Sequence, residues 1–318
     1  MPQIVSDGVM SIKVMPGSPG CLLLLGGSGK VEVLHYLEVI DRLFCSSPRF
    51  PTDDWVKHWL NRNWRDALHY HLATLECAYE DESDFDGRIR LEILSAYRQQ
   101  AEMPTRVLNP GNDKPLPRGK TQAGQRSLSD LLVNRRTTRR FSATYASLGS
   151  VSQLLWDGLT DVRTFRNRRP TDRLNVLRSF GVAFDFYAGI YRVNEIEAGI
   201  YTLNLTDHAL SAVSAGDHSE EIELLLQSQG NVSNSCLTLF FVCDIEQYMW
   251  RYRHERALRN LFIEAGRIAQ RLIIVGENLG FRSFMTPACS DRRLSKLLRL
   301  DDIKQYPVYS VTFGYKPS

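Results

Sequence analysis

The densest group of side chains able to do chemistry stands at residues 251–259, which read RYRHERALR. A tyrosine or a histidine can accept a proton, whereas an arginine stays protonated at any ordinary pH. Tyr252 is therefore the first candidate base, with Arg251 beside it as a cation that would stabilise a phenolate. His254 is a less favoured candidate, and a packing role for Tyr252 explains the residue type equally well.

A second group is rich in arginine, since residues 135–141 read RRTTRRF. Several cationic donors and a hydroxyl that converge on one dianion form a phosphate site. A solvated basic surface after a helix would give the same pattern. A third group comprises six arginines at residues 163–178, which could bind phosphate or an acidic partner.

The elements that must position these groups are predicted to be helices and paired strands. Apolar residues recur at steps of three and four over residues 258–273, which predicts a long buried helix that stops at Gly280. Three further helices are expected, at residues 127–136 capped by Ser127 or Ser129, at residues 147–159 capped near Ser147 or Ser150, and at residues 291–300. Strands are expected at residues 180–193 and 198–205, which would pair with each other, and at residues 236–244 and 306–316. This mixture of elements predicts an α+β fold.

The chain before residue 103 has a different pattern. Residues 21–36 read CLLLLGGSGKVEVLHY, in which Leu24 and Val31 occupy positions where a phosphate loop needs glycine and Ser or Thr. A β-hairpin is therefore favoured. With the helical patterns that follow, it predicts a winged-helix-like module at residues 1–102 that binds a peptide or a partner. A Pro- and Gly-rich linker is expected at residues 103–127, followed by the larger domain at residues 128–318.

Composition narrows the class of protein. The 318 residues include 39 basic and 36 acidic side chains, and a net charge of +3 is too small to indicate nucleic-acid binding. No apolar run reaches the roughly 18–20 residues that cross a membrane. The N-terminus does not resemble a signal peptide. Six cysteines and seven histidines show no metal-ligand spacing, so we expect a cytoplasmic protein with reduced thiols and no metal.

Four stretches, in this order, resemble motifs of the SagB-type dehydrogenases, which are members of the FMN-dependent nitroreductase superfamily. They are RRTTRRF at residues 135–141, SLGSVSQLLWDGL at 147–159, AGIYTLNLTDHAL at 198–210 and ERALRNLFIEAGRIAQRLIIVGENLGF at 255–281. ALHYHLAT, at residues 67–74, is similar to a short element that precedes this domain in the family.

The resemblance implies a nitroreductase-like fold, with an antiparallel or mixed central sheet flanked by helices, and a homodimer with FMN at the subunit boundary. It implies oxidation of azoline rings in a ribosomally made precursor peptide, within a complex that contains a cyclodehydratase. The FMN-binding residues implied by position are Arg135, Arg136, Thr137, Arg139, Arg169, Thr171 and Arg173. A loop at residues 280–289 would form part of the slot for the flavin ring.

Two departures from the family pattern keep other functions open. A glycine-rich loop of the family is replaced by an arginine-rich stretch at residues 168–178. The family's Lys-Tyr pair falls on Arg251-Tyr252 if one residue is inserted, or on Tyr252-Arg253 without an insertion. A side chain in place of glycine prevents the backbone from approaching a ligand closely. The alternative is therefore a cofactor-free scaffold on the same fold, which holds a precursor peptide or a partner enzyme. A general small-molecule nitroreductase is a third, weaker hypothesis.

Overall fold

A computed structural model gives the structure of the chain. It describes residues 11–14, 21–25, 31–35, 58–59, 61–74, 88–100, 113–118, 126–166, 181, 183–252, 254–301 and 303–317. The chain divides into two compact units, Met1–Ala78 and Tyr79–Ser318. The proposed linker at residues 103–127 falls largely outside the described residues, and the domain boundaries taken from the sequence stay predictions.

The first unit contains a small antiparallel sheet, formed by β1 (Ser11–Val14), β2 (Cys21–Leu25) and β3 (Val31–His35) in that order. Leu25 pairs with Val31, which confirms the predicted hairpin. Helix α1 (Arg65–Ala73) follows later in the chain. The winged-helix-like assignment of this module stays a prediction.

A seven-stranded sheet organises the second unit. Its strands are β4 (Asp113–Pro115), β5 (Phe184–Ile190), β6 (Gly199–Asn204), β7 (Ala209–Ala215), β8 (Leu237–Asp244), β9 (Arg282–Thr286) and β10 (Gln305–Gly314). They are ordered β4-β7-β6-β5-β8-β10-β9, and every neighbouring pair is antiparallel. The predicted pairing of β5 with β6 is confirmed.

Helices cover both faces of this sheet. The described helices of the second unit are α2 (Arg88–Gln100), α3 (Leu128–Asn134), α4 (Leu148–Gly158), α5 (Thr160–Arg166), α6 (Ser219–Leu225), α7 (Ile245–Arg251), α8 (Leu258–Asn278) and α9 (Asp291–Leu298), with short 3-10 turns at Val232–Asn234 and Glu255–Ala257. Of the alternative caps, Ser127 accepts from the amide of Asp130, and Ser147 accepts from the amide of Ser150. Serine oxygens therefore satisfy otherwise free amides at both helix starts.

Strand β8 lies at the centre of the hydrophobic core. Leu239 and Phe241 face one apolar cluster, whereas Phe240 and Val242 face the other. Successive side chains of a strand point to opposite faces of the sheet. Because both faces are covered here, the amino-acid sequence of β8 is a continuous apolar run.

The long helix α8 buries most of the apolar face predicted over residues 258–273, but Phe262 is 56% exposed. It packs against α4 closely enough that a Cβ on Gly158 would lie 2.5 Å from Leu272 Cδ2. Gly280, with φ of +88°, follows the helix end and confirms the predicted stop. The expected loop at residues 280–289 is wrong at Arg282–Thr286, because β9 pairs there with β10. Burial of Ser283 and Phe284 favours the strand.

No helix in the described part of the chain is long and apolar enough to cross a membrane. Within the same described ranges, no group of three or more His, Cys, Asp or Glu residues is placed to hold a metal ion.

Two leucines test the packing of α8 against the core. Leu272 is fully buried on α8, whereas Leu224 on α6 is largely exposed. Leu272→Ala should lower the free energy of unfolding by about 2–5 kcal/mol, because it removes buried apolar contacts and leaves a cavity. Leu224→Ala makes the same chemical change in a helix and should cost less than about 0.5 kcal/mol. Urea unfolding measures both, and equal costs would contradict this packing.

Candidate functional site

The arginine-rich segment leaves α3 and continues along the edge of the sheet. Arg135 caps α3 in an extended conformation. Thr137 then forms a parallel bridge with Ser283 of β9, and the amide of Thr138 donates to the Ser283 carbonyl at 2.9 Å. Alternate residues of an extended chain point the same way. Arg135, Thr137 and Arg139 therefore share one side of this segment.

The guanidinium groups of this segment differ in what they contact. Arg136 donates to the carbonyl oxygens of Val133 and Arg135 at the C-terminal end of α3, where a cation is favoured. Within the described ranges, Arg135 and Arg139 form neither an ion pair nor a side-chain hydrogen bond. The guanidinium donors of Arg135 and Arg139 are therefore available to a ligand, whereas Arg136 uses donors to cap the helix.

Three further charged residues lie beside the segment, and the motif search did not find them. Glu277 is buried at the end of α8 and pairs with Arg126 at 3.1 Å and with Arg282 at a shorter distance. One carboxylate between two guanidinium groups leaves a positive charge next to Ser283. The sequence signal that could have revealed this cluster is Glu277 itself, because it is an acid that stands four residues after Ile273 on the apolar face of the long helix.

The second group of candidate residues follows α7. The ring of Tyr252 lies 4.9 Å from the ring of Tyr248, and the guanidinium carbon of Arg251 lies 5.6 Å from the centre of the Tyr252 ring. The buried Nε of Arg251 has no hydrogen-bond partner in the part of the chain that the structure describes. His254 is exposed and precedes a 3-10 turn. Arg251 and Tyr252 therefore lie together.

Tyr248 cannot take over the role of base. It is buried, and its hydroxyl donates to the carbonyl of Ala257 at 2.8 Å. Burial raises the pKa of Tyr248 far above the ordinary value for tyrosine, because the phenolate would lose its hydration. The neutral phenol of Tyr248 instead supports the ring of Tyr252.

The described arginines of residues 163–178 are committed to contacts inside the unit. The guanidinium carbon of Arg163 lies 3.5 Å from the centre of the Trp156 ring, and its Nη1 donates to the Trp156 carbonyl. Arg166 pairs with Asp185 at 3.5 Å. These two arginines support the fold. The remaining candidates of this stretch, Arg169, Thr171 and Arg173, lie outside the described residues, and their roles stay predictions.

Arg251 and Tyr252 lie far from the arginine-rich segment within one chain. Ser283 pairs with Phe313, whose other neighbour is Leu237 at the start of β8. Tyr252 follows α7, which begins directly after Asp244 at the other end of β8. Seven residue steps of about 3.3 Å separate the two ends of β8, which is roughly 23 Å. The arginine-rich segment and the start of α7 therefore lie at opposite ends of this strand.

His208 lies in a buried polar contact between β6 and β7. Its Nε2 is 2.8 Å from Ser152 Oγ, and its ring lies edge-on to Trp156 with the centres 4.8 Å apart. Burial and, to a smaller extent, the positive charges of Arg163 and Arg118 together lower the pKa of His208 to about 4. His208 is therefore neutral at pH 7.

Residues 132–315 match the family model described as the Nitroreductase family. The Trifolitoxin operon protein TfxC of Rhizobium leguminosarum bv. trifolii is 28% identical over 270 residues, which are 81% of this chain and 74% of that protein. A structure from Anabaena variabilis assigned to the nitroreductases superposes with a TM-score of 0.51 at 17% identity, and the match covers 60% of this chain and 38% of that one. The E. coli microcin synthetase McbBCD complex, with truncated pro-MccB17 bound, gives a TM-score of 0.46 at 16% identity, covering 77% of this chain and 99% of that one.

His208 predicts a dependence of stability on pH. Its folded pKa of about 4 lies below the ordinary value of 6.5, so the stabilisation is complete above pH 6.5 and is lost as pH falls towards 4. The loss should be on the order of 3 kcal/mol. His208→Gln should have a flatter profile over this window, as measured by urea unfolding at several pH values. Parallel profiles for the two proteins would show that His208 contributes nothing.

Proposed function

Because the chain belongs to the nitroreductase family, we propose that it is an FMN-dependent dehydrogenase that oxidises azoline rings to azoles in a ribosomally made precursor peptide. The observation that supports it most is the pair of uncommitted cations, Arg135 and Arg139, on one side of the segment beside β9. The relative named as a trifolitoxin operon protein supports a role in the biosynthesis of such a product.

The residues at the arginine-rich segment fit a phosphate. Arginine donates two parallel hydrogen bonds to a phosphate, and charge-assisted bonds of this kind are among the strongest in proteins. The exposed hydroxyl of Thr137 lies between Arg135 and Arg139 in the sequence. Glu277 is held between two other arginines, so it does not neutralise this pair. FMN bound there would supply the hydride acceptor.

Tyr252 acts as the base in the proposed reaction. Oxidation of an azoline to an azole removes one hydride and one proton from the ring. Tyr252 accepts that proton in this proposal, and the guanidinium group of Arg251 lies beside its ring. Tyr248 stays protonated and orients Tyr252 through ring contact.

Two copies of the chain are needed to assemble this site. The arginines of one copy and Tyr252 of the other then face the same cofactor. The separation of roughly 23 Å within one chain therefore does not prevent the two groups from acting together. Both ends of the unit carry large apolar side chains that are 54–65% exposed, as an interface requires. They are Leu128, Leu132 and Val133 on α3, Met249 on α7, and Phe262 and Ile263 on α8.

The first unit binds the precursor peptide in this proposal. In the described three-stranded sheet, β1 and β3 each have one neighbouring strand. An extended peptide can add to such an edge through main-chain hydrogen bonds. Azoline rings arise by cyclodehydration of the peptide, so a cyclodehydratase must act first and is the expected partner.

Loss of the two uncommitted arginines should abolish tight FMN binding. The purified protein should be yellow and release FMN on denaturation. The double variant Arg135→Ala/Arg139→Ala should bind FMN at least about 100-fold more weakly, because two charge-assisted contacts are lost. Fluorescence titration of FMN measures the affinity.

Two controls separate this effect from general loss of charge. Arg136→Ala removes a neighbouring cation that caps α3, and it should weaken FMN binding much less. Arg62→Ala/Arg65→Ala removes two exposed arginines from the first unit and should leave the affinity unchanged. A colourless protein that takes up no added FMN would reject the enzyme and favour the cofactor-free scaffold.

A further inference from the structure

Glu264 is a buried acid on the otherwise apolar face of α8. It is 6% exposed. One carboxyl oxygen accepts a hydrogen bond from the amide of Gly181 at 3.0 Å, and the other accepts from the side chain of Asn260 at 2.9 Å. A buried carboxyl group is costly unless its oxygens are satisfied, and these two bonds satisfy both.

The contact with Gly181 fixes the chain where it enters β5. Gly181 has φ of +67°, and a Cβ there would lie 2.7 Å from Val162 Cγ2. The position therefore requires glycine. The carbonyl of Gly181 accepts from the amide of Phe184, the first residue of β5. Glu264 consequently holds the entry to β5 against α8.

The contact with Asn260 leads to Tyr252. The Asn260 side chain lies beside the hydroxyl of Tyr248, where it opposes the rise in the pKa of that phenol, and the hydroxyl donates to the carbonyl of Ala257. The ring of Tyr248 packs against that of Tyr252. The amide of Tyr252 donates to the carbonyl of Tyr248 at 2.9 Å. An unbroken series of contacts thus joins Glu264 to the candidate base.

We infer that Glu264 is a positioning residue, which holds Tyr252 for proton transfer through Asn260 and Tyr248 and ties this network to Gly181. This role rests on the proposed function, since it assigns the transfer to Tyr252. No ligand contact is needed, because Glu264 acts through its neighbours.

The charge of Glu264 also acts on Arg251. Burial raises the pKa of Glu264, while the cations Arg267 and Arg251 oppose that shift, and Tyr248 is the remaining titratable group beside it.

Kinetics of two variants test the inference. Glu264→Gln and Asn260→Ala should each lower kcat about 10-fold or more, with KM for an azoline-containing peptide and FMN affinity within about two-fold, because only the base is misplaced. Asp161→Asn removes an exposed, paired acid and should leave kcat and KM unchanged. An unchanged kcat in both Glu264→Gln and Asn260→Ala would overturn the inference.

A second measurement does not depend on turnover. Hydrogen exchange of the Gly181 and Tyr252 amides is followed in the cofactor-free chain and in its Glu264→Ala variant. Both amides should exchange at least about 10-fold faster in the variant, since both belong to the network. Faster exchange at Gly181 with no change at Tyr252 would reject the positioning role. Failure to bind FMN would reject the proposed function, but it would leave this result intact.

Discussion

The antiparallel pairing of β8 with β10 sets the separation between the two groups of residues that the proposed chemistry needs. Strand β8 is buried on both faces, so its length cannot change without disturbing two apolar clusters. The arginine-rich segment is attached to β9 at one end of this sheet, and Arg251-Tyr252 follows β8 at the other. A fold built on this sheet therefore separates the two candidate groups within one chain.

Helix α8 links the two ends and carries a buried acid near each. Glu277 gathers Arg126 and Arg282 next to the phosphate candidates, whereas Glu264 binds the Gly181 amide and Asn260 next to Tyr252. Each acid is costly to bury, and each is satisfied by partners from other elements. Helix α8 therefore packs into the core and also sets the local charge next to the arginine-rich segment and next to Arg251-Tyr252.

Local patterns predicted much of the fold. The nitroreductase-like α+β fold is confirmed by the family match and by the Anabaena structure, and the helix α8 and the β5–β6 pairing were visible as periodicity. The strand β9 was missed because its pairing with β10 is a tertiary contact. Arg126 and Glu277, 151 positions apart, meet only in the folded chain, so no spacing could have joined them. The same limit hid the separation of Tyr252 from Arg135.

The shared site is the central claim, and mixed dimers test it most directly. A tagged Arg135→Ala/Arg139→Ala chain is assembled with a differently tagged Tyr252→Phe chain, and the purified heterodimer is assayed for azoline oxidation. If each site takes its arginines from one copy and its tyrosine from the other, one of the two sites is intact, and the heterodimer recovers about one half of wild-type turnover while both parent homodimers stay inactive. An inactive heterodimer that still forms and folds would contradict the account, because each chain would then supply a complete site of its own.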